Sequence, residues 1–361
     1  RKQRGIHRAF IQGNHEAGHQ LQTRLLNSFR SRLLAVRKAT VDSKGAATAG
    51  VDGHASLTDA AKWQLANTIR FDMKPMALRR AFIPKANKNE LRPLGIPTIR
   101  DRAIQHLIKL AVEPAAEALL APEQFGFRPG RGCSDAAMHI RLRLRKPSYV
   151  LDADIRQFFD RIDHDAILRA IPGPPRLIDA IRRMLKAGIL EGVVLTQPEL
   201  GTPQGGPISP LLANLVLADL AADIREEFPE GRVINGEKIA KAPYTPSYAD
   251  DFLVIHQSLN VLREVQAYVE QWLALRGLEL HPDKTAIRHT ATKADGYRGF
   301  RFLGFEFRHH QVGRHQSKGR EWFLWTGPSQ EALNRVYQKC VDIIDASKHS
   351  RKRNGAITDR G

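Results

Sequence analysis

Apolar residues recur at helical spacing in the first forty positions. Leu21, Leu25, Leu26, Phe29, Leu33, Leu34 and Val36 form a stripe that predicts one or two amphipathic helices. The run Lys44-Gly45-Ala46-Ala47-Thr48-Ala49-Gly50-Val51-Asp52-Gly53 breaks that pattern, which places a boundary there and restarts a helix at Ser56 or Thr58. Ala81-Phe82-Ile83-Pro84-Lys85 and Leu91-Arg92-Pro93-Leu94-Gly95-Ile96-Pro97 read as strands around the turn Asn87-Lys88-Asn89, a basic hairpin. From Arg100 to about Leu120 the helical period returns in Ile104, Leu107, Ile108, Leu110 and Ala111, the mark of a buried face. Beyond it the pattern predicts a strand over 148–155, helices through 164–170 and 175–187, an apolar helix over 208–226, a strand Phe252-Leu253-Val254-Ile255 and a long helix over 259–275.

Charge changes this picture. The 361 residues carry 56 Lys+Arg against 38 Asp+Glu, a formal net charge of +18, which points to a polyanionic partner. In residues 1–40 nine basic side chains meet one acid, Glu16, so Arg24, Arg30 and Arg32 are expected to contact RNA phosphates. Gly126-Phe127-Arg128-Pro129-Gly130-Arg131-Gly132 adds a glycine-rich loop with Arg128 and Arg131, where backbone can approach a phosphate chain. An apolar run of 18 residues, a signal peptide and a lipidation motif are not found, and the expected place of action is the cytoplasm or nucleoid, away from membranes. Cys133 and Cys340 stand far apart without metal-ligand spacing, so neither a disulfide framework nor a zinc site is indicated.

The chemistry concentrates in carboxylates. Tyr248-Ala249-Asp250-Asp251 sets two aspartates between a turn-prone Thr245-Pro246-Ser247 and an apolar strand, and they can share one cation only if the backbone bends there. A third aspartate ends Tyr149-Val150-Leu151-Asp152-Ala153-Asp154-Ile155. Such a set suits two divalent cations ~3.5–4 Å apart and phosphoryl transfer, as in a polymerase. Asp163 falls past the strand and is expected to cap the helix at His164, whereas strand parity does not separate Asp152 from Asp154. Lys85 and Arg92, on opposite strands of the basic hairpin, are placed to meet one triphosphate. In Thr202-Pro203-Gln204-Gly205-Gly206-Pro207, Gln204 can hydrogen-bond a nucleotide and the glycines allow close backbone approach.

Taken in order, Phe82 to Pro97, Gln-Phe-Gly-Phe-Arg-Pro-Gly from Gln124, Leu151 to His164, Gly201 to Leu215, Tyr248 to Ile255 and Phe302-Leu303-Gly304-Phe305 resemble the reverse transcriptases encoded by group II introns, also called maturases. The resemblance runs from about residue 20 to 345 and implies an α+β right-hand polymerase fold. Residues 1–55 are then a basic helical extension, 56–310 fingers and palm with an antiparallel sheet, and 311–361 the start of a helical thumb. It also implies that Asp154, Ile155, Asp250 and Asp251 hold two Mg2+ ions (Mn2+ as the substitute), and that Lys284 protonates pyrophosphate. By the same resemblance Lys85 and Arg92 bind the triphosphate, Gln204 and Gly205 the nucleotide, Phe159 gates the ribose, and Phe302 to Phe305 positions the primer end. The implied partners are intron RNA, an RNA template with a DNA primer, target DNA and deoxynucleoside triphosphates. The implied activity is RNA-directed DNA polymerisation with roles in splicing and retromobility. The rival readings are a related enzyme recruited to CRISPR spacer acquisition or phage defence, and a splicing cofactor with a silent polymerase site.

Overall fold

Gly13, at φ +69, and Asn14, whose side-chain oxygen accepts from Ala17 N at 3.1 Å, set off a further helix ahead of the apolar stripe, which is itself divided at Asn27 and Ser28. The computed structural model, which describes residues 1–84, 91–202, 205–294, 297–313 and 321–355, therefore holds three short helices where one or two were expected: Lys2–Ile11, His15–Leu26 and Phe29–Arg37. Ile6, Phe10, Leu25, Leu26, Ala35 and Val36 are buried in the same cluster as Ala103, Ile104, Leu107 and Ala111 of the helix Ile99–Leu119. Each fully buried Leu or Ile contributes about 1.5–3 kcal/mol, so these helices are fixed by packing rather than by propensity. Gln22 adds a polar stitch: its buried amide donates to Ala111 O at 3.1 Å and Pro172 O at 2.8 Å.

Two sheets follow. Leu78–Pro84 pairs antiparallel with Leu91–Ile96 and parallel with Ile189–Glu191, which turns back into Val194–Thr196. The second sheet is four-stranded and antiparallel, ordered Ala286–His289, Tyr149–Asp154, Asp251–His256, Ser247–Tyr248. Behind it the helix Leu259–Ala274, capped by Ser258, presses Val261, Leu262, Val265, Val269 and Leu273 into the core. The expected helix over 208–226 is two, Ser209–Val216 and Leu220–Glu227. Gln124 Nε2 takes the carbonyl of Leu217 at 3.2 Å, one that a continuous helix would spend on its own next turn. A third, three-stranded sheet (Phe300–Phe302, Phe305–Gln311, Trp322–Pro328) leads into the helix Gln330–Gly355. This mixed fingers-and-palm layering is the expected right-hand arrangement. Among the described residues no helix is long and apolar enough to cross a membrane.

His309 closes the seam between the second and third sheets. It is fully buried, its Nδ1 lies 2.9 Å from Thr290 Oγ1, and the same hydroxyl accepts from Ser148 N. Burial first, then the nearby His289 and His310, lower its pKa from 6.5 to about 4. Unfolded, the ring takes up a proton near pH 6.5; folded, it refuses one until about pH 4. Stability from this group is therefore intact above pH 6.5 and is lost as the pH falls towards 4, by on the order of 2 kcal/mol. Urea unfolding of wild type and His309→Gln at pH 7, 5.5 and 4 is expected to show the gap between them narrowing with acid. Parallel pH profiles would contradict the assignment.

Candidate active site

The palm strands deliver the carboxylates by register. Asp154 ends its strand directly opposite Asp251, and Tyr248 pairs with Asp251, leaving Ala249 and Asp250 as a two-residue turn. Ala249 has φ +59 and Asp250 does not, the signature of a type II′ hairpin, whose first corner usually belongs to glycine. The backbone therefore bends where the sequence required it. What holds an alanine there is a neighbour: a Cβ at Gly126 would lie 2.3 Å from Ala249 N, so residue 126 has to be glycine for the two backbones to touch.

Burial and mutual repulsion set the protonation of this group. Asp251 is pushed up to about 7, by desolvation first and then by Asp250, Asp154 and Asp152; Asp250 is also raised, chiefly by desolvation. Asp152 is raised to about 6 by burial, against the pull of Arg288, 3.5 Å away. Lys284 is ion-paired with Asp154, and its turn is tied to the palm because His281 N donates to Asp154 O at 2.8 Å. Opposite Leu280, the bridge at Ile155 is closed by Asp154 O and Arg156 N, so Ile155's own carbonyl is not part of it. Among the described residues no three His, Cys, Asp or Glu side chains are drawn together at ligating distance. The donor set nevertheless fits a hard divalent cation: it is all carboxylate oxygen, and Asp250 and Asp251 keep raised pKa values despite the nearby Lys284 ammonium.

A cavity of about 740 Å³ opens over Asp154 and Asp250 and is lined also by Arg92, Phe159, Gly205, His281 and Lys284. Gly205, at φ +119, sits so close to the finger strand that a Cβ would meet Gly95 O at 2.9 Å. Phe159 is half-buried, with Phe158 beneath it in the core. Lys85 and Gln204 lie outside the described residues. Leu303 and Gly304, both at positive φ, form the tight turn between Phe302 and Phe305. Asp163 caps its helix, accepting from Ala166 N at 2.8 Å.

Two arginines expected to contact RNA are engaged within the chain. Arg128 is buried, its guanidinium spread over Glu117 at 2.9 and 3.0 Å and the carbonyls of Ala121 and Gln124, so four of its five N–H donors are spent on locking a loop. Arg32 donates to Asn67 O at 3.1 Å and lies over the Phe29 ring, a joint between helices. Arg131 is half-buried against Phe125 and donates to Pro122 O, while Arg24 and Arg30 are exposed. Sequence reasoning placed Gly126 and Phe127 in a loop open to phosphate and missed their contacts with the Ala249 turn and with Phe159, for which the consecutive glycine and aromatic gave no sign.

The reverse transcriptase (RNA-dependent DNA polymerase) family model matches residues 83–307, and that of the N-terminal domain of reverse transcriptase matches residues 1–69. Protein YkfC of Escherichia coli (strain K12) is 29% identical over 340 residues, covering 84% of this chain and 86% of that protein. Group II intron-encoded protein LtrA of Lactococcus lactis subsp. cremoris is 28% identical over 327 residues, 75% of this chain, which spans only 53% of LtrA. Among solved structures, apo telomerase from Candida tropicalis truncated from its C-terminal domain superposes with TM-score 0.51 at 12% identity, over 64% of this chain and 53% of that one, a likeness of fold.

The backbone contact at Gly126 generates a stability expectation. Gly126→Ala puts a methyl against backbone that has nowhere to go, with a cost of about 1–3 kcal/mol. Gly132→Ala, in the same loop with its nearest neighbour at 3.7 Å, is expected to cost less than about 1 kcal/mol. Thermal melting of the two variants checks this, and equal melting temperatures would mean that the hairpin yields.

Proposed function

The chain belongs to the reverse transcriptase family, in its group II intron-encoded type, and on that premise we propose that this RNA-directed DNA polymerase copies intron RNA into cDNA by two-metal phosphoryl transfer. The observation that carries the reading is the pairing of Asp154 with Asp251, beside Asp250, at a cavity that also gathers Lys284 and Arg92. Asp154, Asp250, Asp251 and the Ile155 carbonyl are the groups that would hold two Mg2+ ions. When bound, those ions acidify the primer hydroxyl and neutralise the departing pyrophosphate. The remaining work falls to the chain itself. Arg92, with Lys85, grips the triphosphate; Gly205, with Gln204, lets the nucleotide lie against bare backbone; and the Phe159 ring crowds a ribose 2′-hydroxyl. Lys284, held at Asp154, carries the proton for the leaving pyrophosphate.

We also read residues 1–55 as an intron-RNA-holding extension, 56–310 as fingers and palm and 311–361 as the start of the thumb. In this reading the protein works as a cytoplasmic or nucleoid ribonucleoprotein that supports splicing and retromobility, with target DNA as a further partner. The exposed Arg24 and Arg30 support the RNA-holding role.

Asp154→Asn and Asp250→Asn each remove a charge and almost no volume, so each is expected to abolish Mg2+-dependent primer extension on RNA and leave RNA affinity within about twofold. Residual extension within tenfold of wild type would overturn the metal assignment. Replacing Arg24 and Arg30 by Gln is expected to flatten the salt dependence of intron-RNA binding by about one unit of slope per lost phosphate contact. Primer extension on a short unstructured template should not change. An unaltered slope would return these arginines to the solvated surface.

A further inference from the structure

Phe127 combines two unfavourable choices. Its backbone is left-handed, φ +56, which is rare for a bulky side chain, and its ring is 46% exposed. Strain of that kind persists only where the surroundings over-determine it. On one side Gly126 is pressed against the turn that carries Asp250, and its carbonyl accepts from Asn214 Nδ2 at 2.5 Å. On the other, Arg128 is clamped by Glu117 and two carbonyls. Between these anchors the Phe127 ring points into the catalytic cavity and meets Phe159 edge-on, with centroids 6.2 Å apart and planes at 76°. Phe159 also meets Phe158 edge-on, with centroids 5.5 Å apart and planes at 69°, and Phe158 is itself buried.

We propose that Phe127 is the positioning residue of the sugar subsite: it holds the Phe159 ring against C2′ of the incoming nucleoside triphosphate, so that discrimination against ribonucleotides is made by an aromatic pair. This rests on the reading of Phe159 as the ribose gate. A lone phenylalanine at the lip of an open cavity can rotate away from a 2′-hydroxyl, whereas one with edge-on contacts to two rings keeps its bulk in place. The same strained segment sets the registry of that wall. Through Gly126 it touches the turn bearing Asp250, so sugar wall and catalytic carboxylates are located from one piece of backbone.

Phe127→Gly removes the ring while suiting the left-handed backbone, so it deletes the contact without adding strain; Phe127→Tyr keeps the ring edge. The measurement is the ratio of kcat/KM for ribonucleotide over deoxyribonucleotide insertion on an RNA template, for these variants, for Phe159→Val, and for Phe127→Gly with Phe159→Val. Phe127→Gly is expected to raise the ratio about three- to tenfold, the worth of one aromatic pair. Phe127→Tyr should stay at the wild-type ratio, and the double variant should go no further than Phe159→Val alone. If Phe159→Val moves the ratio and Phe127→Gly does not, or if the two effects simply multiply, the positioning role is overturned and the gate stands. If neither variant moves it, the gate itself is wrong and this inference falls with it. A loss of deoxyribonucleotide insertion at unchanged ratio makes the ring a structural support only and also overturns the proposal.

Discussion

Asp154 and Asp251 stand opposite one another across a strand pair, with Asp250 in the adjoining turn, and like charges this close repel. Two unit charges about 4 Å apart at an effective dielectric near 20 interact by about 4 kcal/mol, a scale comparable to a large part of a domain's stability. The palm contains it in three ways. Asp250 and Asp251 retain protons above their usual range, Lys284 supplies an ammonium to Asp154, and Arg288 one guanidinium to Asp152. Strand pairing then fixes the distance that the charges would otherwise increase. A site built in this way is costly for the fold and ready for a cation.

Holding the carboxylates there needs rigid neighbours, and they come from far away in sequence. The Ala249 corner is braced by Gly126, Gly126 by Asn214, and the loop after it by Arg128 on Glu117 of the central helix. That helix also anchors the N-terminal helices through their shared core and through Gln22, which reaches Pro172 as well. The basic surface carried by Arg24 and Arg30 is thus mounted on the element that braces the catalytic turn.

Much of this was legible in the sequence and some could not be. The carboxylate motifs, the basic hairpin, the Asp163 cap and the long helices follow from period and turn chemistry, which are local. The division of the apolar run near residue 217 was not, because the Leu217 carbonyl at the break accepts from the side chain of Gln124, remote in sequence, as well as from Leu220 N. The carbonyl partners of Arg32 and Arg128 were hidden for the same reason: a guanidinium looks the same in a sequence whether its partner is phosphate or a carbonyl of its own chain. Gly126 and Phe127 stood out as a loop of close backbone approach, but the backbone that comes close is the chain's own turn at Ala249, and a glycine does not say what it makes room for. Asp152 and Asp154 share strand parity, and the structure separates them by position: only Asp154 lies at the strand end opposite Asp251.

The parallel pairing of Leu78 and Arg79 with Ile189 and Leu190 carries a mechanical consequence. Ile189–Glu191 leads through its hairpin towards Thr202, and on the far side of residues 203 and 204 Gly205 rests on Gly95 of the other finger strand. The loop between them is therefore fastened at two different places: Gly201 N and Thr202 N donate to Ile162 O and Phe159 O beside the carboxylate strand, while Gly205 rests on the finger strand at Gly95. It works as a hinge plate between the two, so that on the proposed reading a tilt of the finger hairpin reaches one edge of the nucleotide's seat while the other edge stays with the carboxylates.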